Sequence, residues 1–91
     1  MLFAVIGKDS ARAAELRPQF REQHLQYLRP SVEEKRIVLG GPFTDGSGML
    51  VVMEMDSEQA VKDFFANDPF IKNGVVESVD IRPFRKVLPP A

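Results

Sequence analysis

The 91-residue chain has no cysteine, no tryptophan, and only one histidine and one tyrosine. Without cysteine there is no disulfide, no thiolate metal ligand and no thiol nucleophile. A single imidazole cannot build a zinc centre unless carboxylates complete it, so no metal is expected. Neither sign of charge dominates: 12 Lys and Arg stand against 13 Asp and Glu, a net charge of −1 at pH 7. The basic surplus of a nucleic-acid footprint is therefore missing. Long apolar runs are missing too. The run at Met1–Ile6 is too short and wrongly flanked for a signal peptide, and no stretch has the length to span a bilayer. These absences lead us to expect a cytoplasmic protein, with no nucleic acid and no membrane among its partners.

What is present is an ordinary globular composition, 44% hydrophobic and 27% charged. It suffices for one domain, residues 1–91, near the small end of what folds alone. Met1–Ile6 reads as a buried strand stopped by Gly7, and Lys8-Asp9-Ser10 as a turn. Asp9 or Ser10 can cap a helical piece through Leu16, and Pro18 predicts a kink or a fresh helix at Arg17. That helix should run to about Arg29 and stop at Pro30, with Ser31-x-x-Glu34 as a capping box for one more short turn. Ile37–Phe43 is a second strand, its Gly40-Gly41-Pro42 marking a bulge or an edge. Asp45-Gly46-Ser47-Gly48 is a hairpin loop and Met49–Met55 a third strand. Asp56 or Ser57 caps a helix over Glu58–Ala66. Asp68-Pro69-Phe70 opens a one-turn helix closed by Gly74, and Val75–Phe84 is the last strand.

The order β-α-β-β-α-β gives an α+β, ferredoxin-like domain, an antiparallel sheet with its helices on one face. Leu2 to Ile6 and Met49 to Met53 are apolar on both faces of their strands. The face without helices then needs a cover, and the same face of a second copy supplies it. The expectation is a homodimer, its two sheets packed as a dimeric α+β barrel.

At about 100° per residue, Leu16, Tyr27, Phe20, His24, Arg17, Leu28, Arg21 and Leu25 fall on one half of the first helix. Glu15, Gln19, Glu22, Gln23, Gln26 and Arg29 form the polar half. Arg17, Arg21 and His24 thus sit inside the half that should meet the core, where an unpartnered charge is costly. An anionic group is expected opposite them. Strand 4 runs against strand 1, which brings Asp68 close to all three. Asp68 can cap its short helix with one oxygen and orient His24 with the other. Glu33, Glu34 or Asp68 could pair with the arginines instead, and Tyr27 reads as core or cleft wall.

The stretch Arg17-x-x-x-Arg21-x-x-His24-Leu25-x-x-Leu28, together with Gly41-Pro42, Gly46-Ser47, Asp68-Pro69-Phe70 and Ile81-x-Pro83-Phe84, resembles the YciI-like family of the dimeric α+β barrel superfamily. The resemblance implies a His–Asp active site at His24 and Asp68, with Ser47 as a further candidate. It also implies similarity to dehydrochlorinases of chlorinated hydroxyhydroquinones and to muconolactone-isomerase-like proteins. By topology Ser47 is expected at the sheet end opposite Asp68, reaching the site only along a long cleft or from a partner subunit.

The resulting expectation is a cofactor-free enzyme moving a proton on a small anionic or phenolic ring compound. His24 would be the general base, oriented by Asp68, with Arg21 and Arg17 holding the oxyanion. A non-catalytic dimeric module binding a metabolite in the same cleft is the alternative. A purely structural subunit is the third reading, and it requires no pocket at His24.

Overall fold

The computed structural model describes residues 1–90. Along the chain lie β1 (Leu2–Asp9), α1 (Ala13–Glu33), β2 (Ile37–Pro42), β3 (Gly48–Glu54), α2 (Glu58–Ala66), α3 (Pro69–Lys72) and β4 (Val76–Phe84). All neighbouring strands pair antiparallel, in the order β2-β3-β1-β4. This is the ferredoxin-like arrangement expected from the element order, with α3 as the turn at Asp68-Pro69-Phe70.

Register decides which side chains enter the core. Phe3 pairs with Met53, Val5 with Val51 and Gly7 with Met49, so these residues share one face. That face packs on Val61, Phe65 and Phe70 of the helices, and Phe3, Val5, Met53 and Val61 are fully enclosed. Burying each such side chain stabilises the fold by about 1.5–3 kcal/mol. The alternate residues, Leu2, Ala4, Ile6, Leu50 and Val52, lie on the other face with their partners Leu39 and Phe84. Ile6, Leu39 and Phe84 are exposed there.

The elements depart from the sequence expectation in three places. First, β1 runs past Gly7 to Asp9. Gly7 does not stop the strand; it makes room, since a Cβ there would stand 2.9 Å from the Met49 side chain and 3.0 Å from Val76. Lys8 and Asp9 are strand residues rather than a turn, and the N-cap of α1 is Arg12, with no side-chain hydrogen bond, instead of Asp9 or Ser10.

Second, α1 is continuous and passes through both Pro18 and Pro30. The two prolines are exposed, as are Ala14 and Gln26 four residues before them, so water can meet the carbonyls they leave unbonded. The helix continues because its far end is fixed in the fold: Ser31 is buried inside it and opens no capping box. The true end is a Schellman motif. Arg36 N–H donates to Ser31 C=O at 2.9 Å and Lys35 N–H to Val32 C=O at 3.0 Å, with Lys35 at φ 60° in the left-handed position usually given to glycine.

Third, β2 ends at Pro42. It is an edge strand, and its irregularity falls between Ile37 and Leu39, ahead of Gly40-Gly41-Pro42, which pair with Val51, Leu50 and Met49 in unbroken register.

Candidate active site

α1 carries Arg17, Arg21 and His24 along the side that faces β2, β3 and α3. Together with Leu25, Leu28, Val32 and Ile37, the backbone of Gly40 and Gly41, and Pro42, Met49, Val51 and Phe70, they line a cavity of about 360 Å³. Its walls are mainly apolar, and its titratable groups all come from α1.

The second contributor is α3. Asp68 is its N-cap, in extended conformation with Pro69 at the first helical position. Asp68 Oδ1 accepts the Phe70 N–H at 2.9 Å and meets His24 Nδ1 at 2.7 Å. An ionised carboxylate can only accept, so opposite it a neutral imidazole carries its proton on Nδ1 and leaves Nε2 bare. One oxygen therefore performs both tasks that were expected of two. The other, Oδ2, is buried and has no hydrogen-bond partner among the described residues. Asp68 is fully buried, while His24 keeps a small exposed area on the cavity.

Phe70 completes the support. Its ring lies parallel to the imidazole, with centroids 3.8 Å apart and planes at 4°. The Arg17 guanidinium stands 5.0 Å from the centroid of the same ring. Close by, the Tyr27 hydroxyl donates to the Phe64 carbonyl at 2.6 Å and its ring packs on Phe64. Burial, and after it the Asp68 charge, raises the Tyr27 phenol above its ordinary value. Of the two roles expected for it, Tyr27 takes the core one: it packs on Phe64 and does not line the cavity.

The two arginines part company. Arg17 Nη2 reaches both Asp9 oxygens at 2.6 Å, so its anion comes from the end of β1 and not from Asp68, Glu33 or Glu34. Arg21 lines the cavity as an exposed residue and has no ion-pair partner among the described residues. Ser47 lies at the same sheet end as Asp9, not the opposite one: Lys8 pairs with Gly48 and Asp9 with Val76. The reason is strand direction, since the start of antiparallel β3 must lie beside the end of β1. Ser47 is exposed and does not line the cavity. Its carbonyl instead accepts the Asp9 N–H at 3.0 Å. Gly48 permits that closeness, because a Cβ there would fall 1.8 Å from the Gly7 carbonyl oxygen.

Asp9 is the residue that sequence reasoning missed. A signal was available: only Ser10–Arg12 separate β1 from α1, so a charge at the strand end and one early in the helix are forced together.

Residues 1–85 match the model of the family described as YCII-related domain. An uncharacterized protein of Haemophilus influenzae is 32% identical, over 96% of this chain and 99% of its own. Protein YciI of Escherichia coli O6:H1 is 30% identical with the same coverage. Among solved structures, the 5-chloro-2-hydroxyhydroquinone dehydrochlorinase of Burkholderia phenoliruptrix, in complex with 2,5-dihydroxybenzoquinone, superposes with TM-score 0.86 at 28% identity over the whole of both chains. Rv0793 of Mycobacterium tuberculosis, at 14% identity and TM-score 0.52 over 96% of this chain and 99% of its own, shares the fold.

Proposed function

Because the chain belongs to the YCII-related domain family, with a dehydrochlorinase among its structural neighbours, we propose that it is a cofactor-free enzyme moving protons on a small phenolic ring. The observation that carries this reading is the 2.7 Å contact between His24 Nδ1 and the fully buried Asp68. It fixes the tautomer, so that Nε2 is free to take a proton from a ring hydroxyl. Arg21 faces the oxygen that becomes negative, and Arg17 forms part of the wall beside it. Ser47 acts at a distance, through the strand end it holds.

On a chlorinated hydroxyhydroquinone two proton transfers lead to loss of chloride. His24 takes the proton of one hydroxyl and returns it to the chlorine-bearing carbon, leaving a ketone. A second hydroxyl then loses its proton to His24 as the C–Cl bond breaks. The bonding pair leaves with chloride, so the net change is loss of HCl. On a ring without chlorine the first step alone is an isomerisation.

The working unit is a homodimer. Support comes from the sheet face away from the helices, where Leu2, Ala4, Ile6, Leu39 and Phe84 form an apolar surface beside Leu50 and Val52. Sedimentation at micromolar concentration tests it, and a monomer would remove the dimer.

The apolar lining of the cavity also suits a binding module without turnover. Thermal-shift screening with aromatic diols and quinones, followed by chloride-release and absorbance assays on each hit, separates the two readings. The catalytic one expects His24→Ala to lose about 100-fold or more in rate while the fold and dimer persist. A rate that ignores this substitution removes the mechanism.

A further inference from the structure

We infer that Asp9 sets the charge the cavity accepts: by occupying Arg17 it leaves Arg21 as the cation facing the ligand, so that the site takes a ring compound bearing one negative charge and disfavours two. The choice of a ring compound rests on the proton-transfer reading above; the charge count rests on the arrangement of side chains.

Three titratable groups line the cavity: Arg17, Arg21 and His24. Two of them have carboxylates of their own behind them. Arg17 is tied through Nη2 to both oxygens of Asp9, a carboxylate side chain only 9% exposed. It is also held over the Phe70 ring, so its guanidinium is fixed at two points. The Asp9 backbone is fixed in turn, by its N–H bond to the Ser47 carbonyl. His24 has Asp68. When the imidazole accepts a substrate proton, the imidazolium and the Asp68 carboxylate neutralise each other. Arg21 is then balanced by one negative oxygen on the ring. A second negative charge would meet apolar walls and an arginine already paired, and a charge brought against apolar surface without a partner is disfavoured. Asp9 touches no ligand in this scheme. It is a specificity-determining residue acting through Arg17.

The test is calorimetric titration at pH 7 with benzoate, which carries one carboxylate, and isophthalate, which carries two on the same ring. The wild-type protein should bind benzoate about tenfold more tightly than isophthalate. In Asp9→Asn, Arg17 is released. Isophthalate should then tighten by about tenfold, while benzoate stays within about threefold. Arg21→Gln should weaken benzoate by about thirtyfold, and adding Asp9→Asn to that variant should recover about tenfold of the loss. Rescue of a lost arginine by removal of a remote carboxylate is an outcome that a purely structural ion pair does not give.

A wild-type preference for isophthalate, binding of neither probe, or an unchanged ratio in a folded Asp9→Asn protein would overturn the inference. The wild-type preference needs no variant, so it decides alone if Asp9→Asn folds poorly. The outcome is also separable from the catalytic reading. A dianion preference with His24-dependent turnover removes only the charge count. A monoanion preference with turnover indifferent to His24 removes only the mechanism.

Discussion

The imidazole of His24 and the ring of Phe70 lie face to face, 3.8 Å between centroids and 4° between planes. The stack ties the candidate base to the same four-residue helix that supplies its carboxylate partner, because Phe70 is the residue whose N–H Asp68 caps. α3 is short, yet it fixes the ring of His24 in plane through Asp68 and out of plane through Phe70. Its first residues set the geometry of the site.

The tautomer follows from this arrangement. A carboxylate at Nδ1 requires a proton on that nitrogen in the neutral ring. Since the chain has a single histidine, nitrogen-15 NMR reads it without assignment. The expected spectrum shows protonated Nδ1 and bare Nε2. In Asp68→Ala the population should move toward the Nε2–H form that free imidazole side chains favour. A wild-type ring protonated at Nε2 would contradict the contact.

Asp68 carries two loads, and substitution can separate them. Asp68→Asn keeps an acceptor for both the Phe70 N–H and His24 Nδ1–H, and places an amide where the partnerless Oδ2 now stands. Asp68→Ala loses the cap, which alone is worth about 1 kcal/mol, and leaves a buried His24 without its partner, for about 2–3 kcal/mol in all. In urea denaturation the Asn variant should lose about 1 kcal/mol or less. Both variants should lose turnover by about 100-fold, because neither supports an imidazolium. Equal destabilisation of the two would show that the charge, not the cap, holds the fold.

The end of α1 offers a gain. Lys35 occupies the left-handed position of the Schellman motif at φ 60°, which costs a residue with a Cβ about 1 kcal/mol or more. Lys35→Gly removes that strain but adds freedom to the unfolded chain. The net expectation is about 0.5 kcal/mol of added stability, read as a higher urea midpoint with an unchanged slope. A lower midpoint would mean that the Lys35 side chain contributes more than its backbone loses.

How far the sequence carries is set by the range of the forces involved. The strands β1 and β3 are apolar on both faces, so their place at the centre of the sheet can be read directly from Leu2–Ile6 and Met49–Met53. The meeting of His24 and Asp68 follows from topology alone. Pro30 misleads because helix propensity is local, whereas buried Ser31 and the Arg36 bond to its carbonyl are tertiary. Gly7 reads as a stop because the close approach of Met49 and Val76 that requires it comes from distant segments. Asp9 reads as a turn former because Gly7 reads as the end of its strand, which hides how short the link from β1 to α1 is. Arg17 and Arg21 are alike in sequence and one turn apart, and only the three-dimensional position of Asp9 distinguishes them.

Tyr27 connects the stability of the fold to the charge in the site. Burial first, and the Asp68 charge second, raise its phenol above the ordinary value of 10.0. The native state therefore keeps its proton in a pH range where the unfolded chain has lost it. There the unfolded chain binds fewer protons, and stability falls as pH rises. The contribution is complete below the unfolded value near 10 and is lost as pH passes through the raised native value. Tyr27→Phe forfeits the hydrogen bond to the Phe64 carbonyl, about 1 kcal/mol at neutral pH, but also removes this alkaline loss. The stability gap between wild type and Tyr27→Phe should therefore narrow above pH 10. Because Tyr27 is the sole tyrosine, phenolate absorbance titrates it directly. Asp68→Asn, by removing the second cause, should bring its midpoint partway back toward the ordinary value. A midpoint indifferent to Asp68→Asn would mean that no carboxylate charge reaches Tyr27.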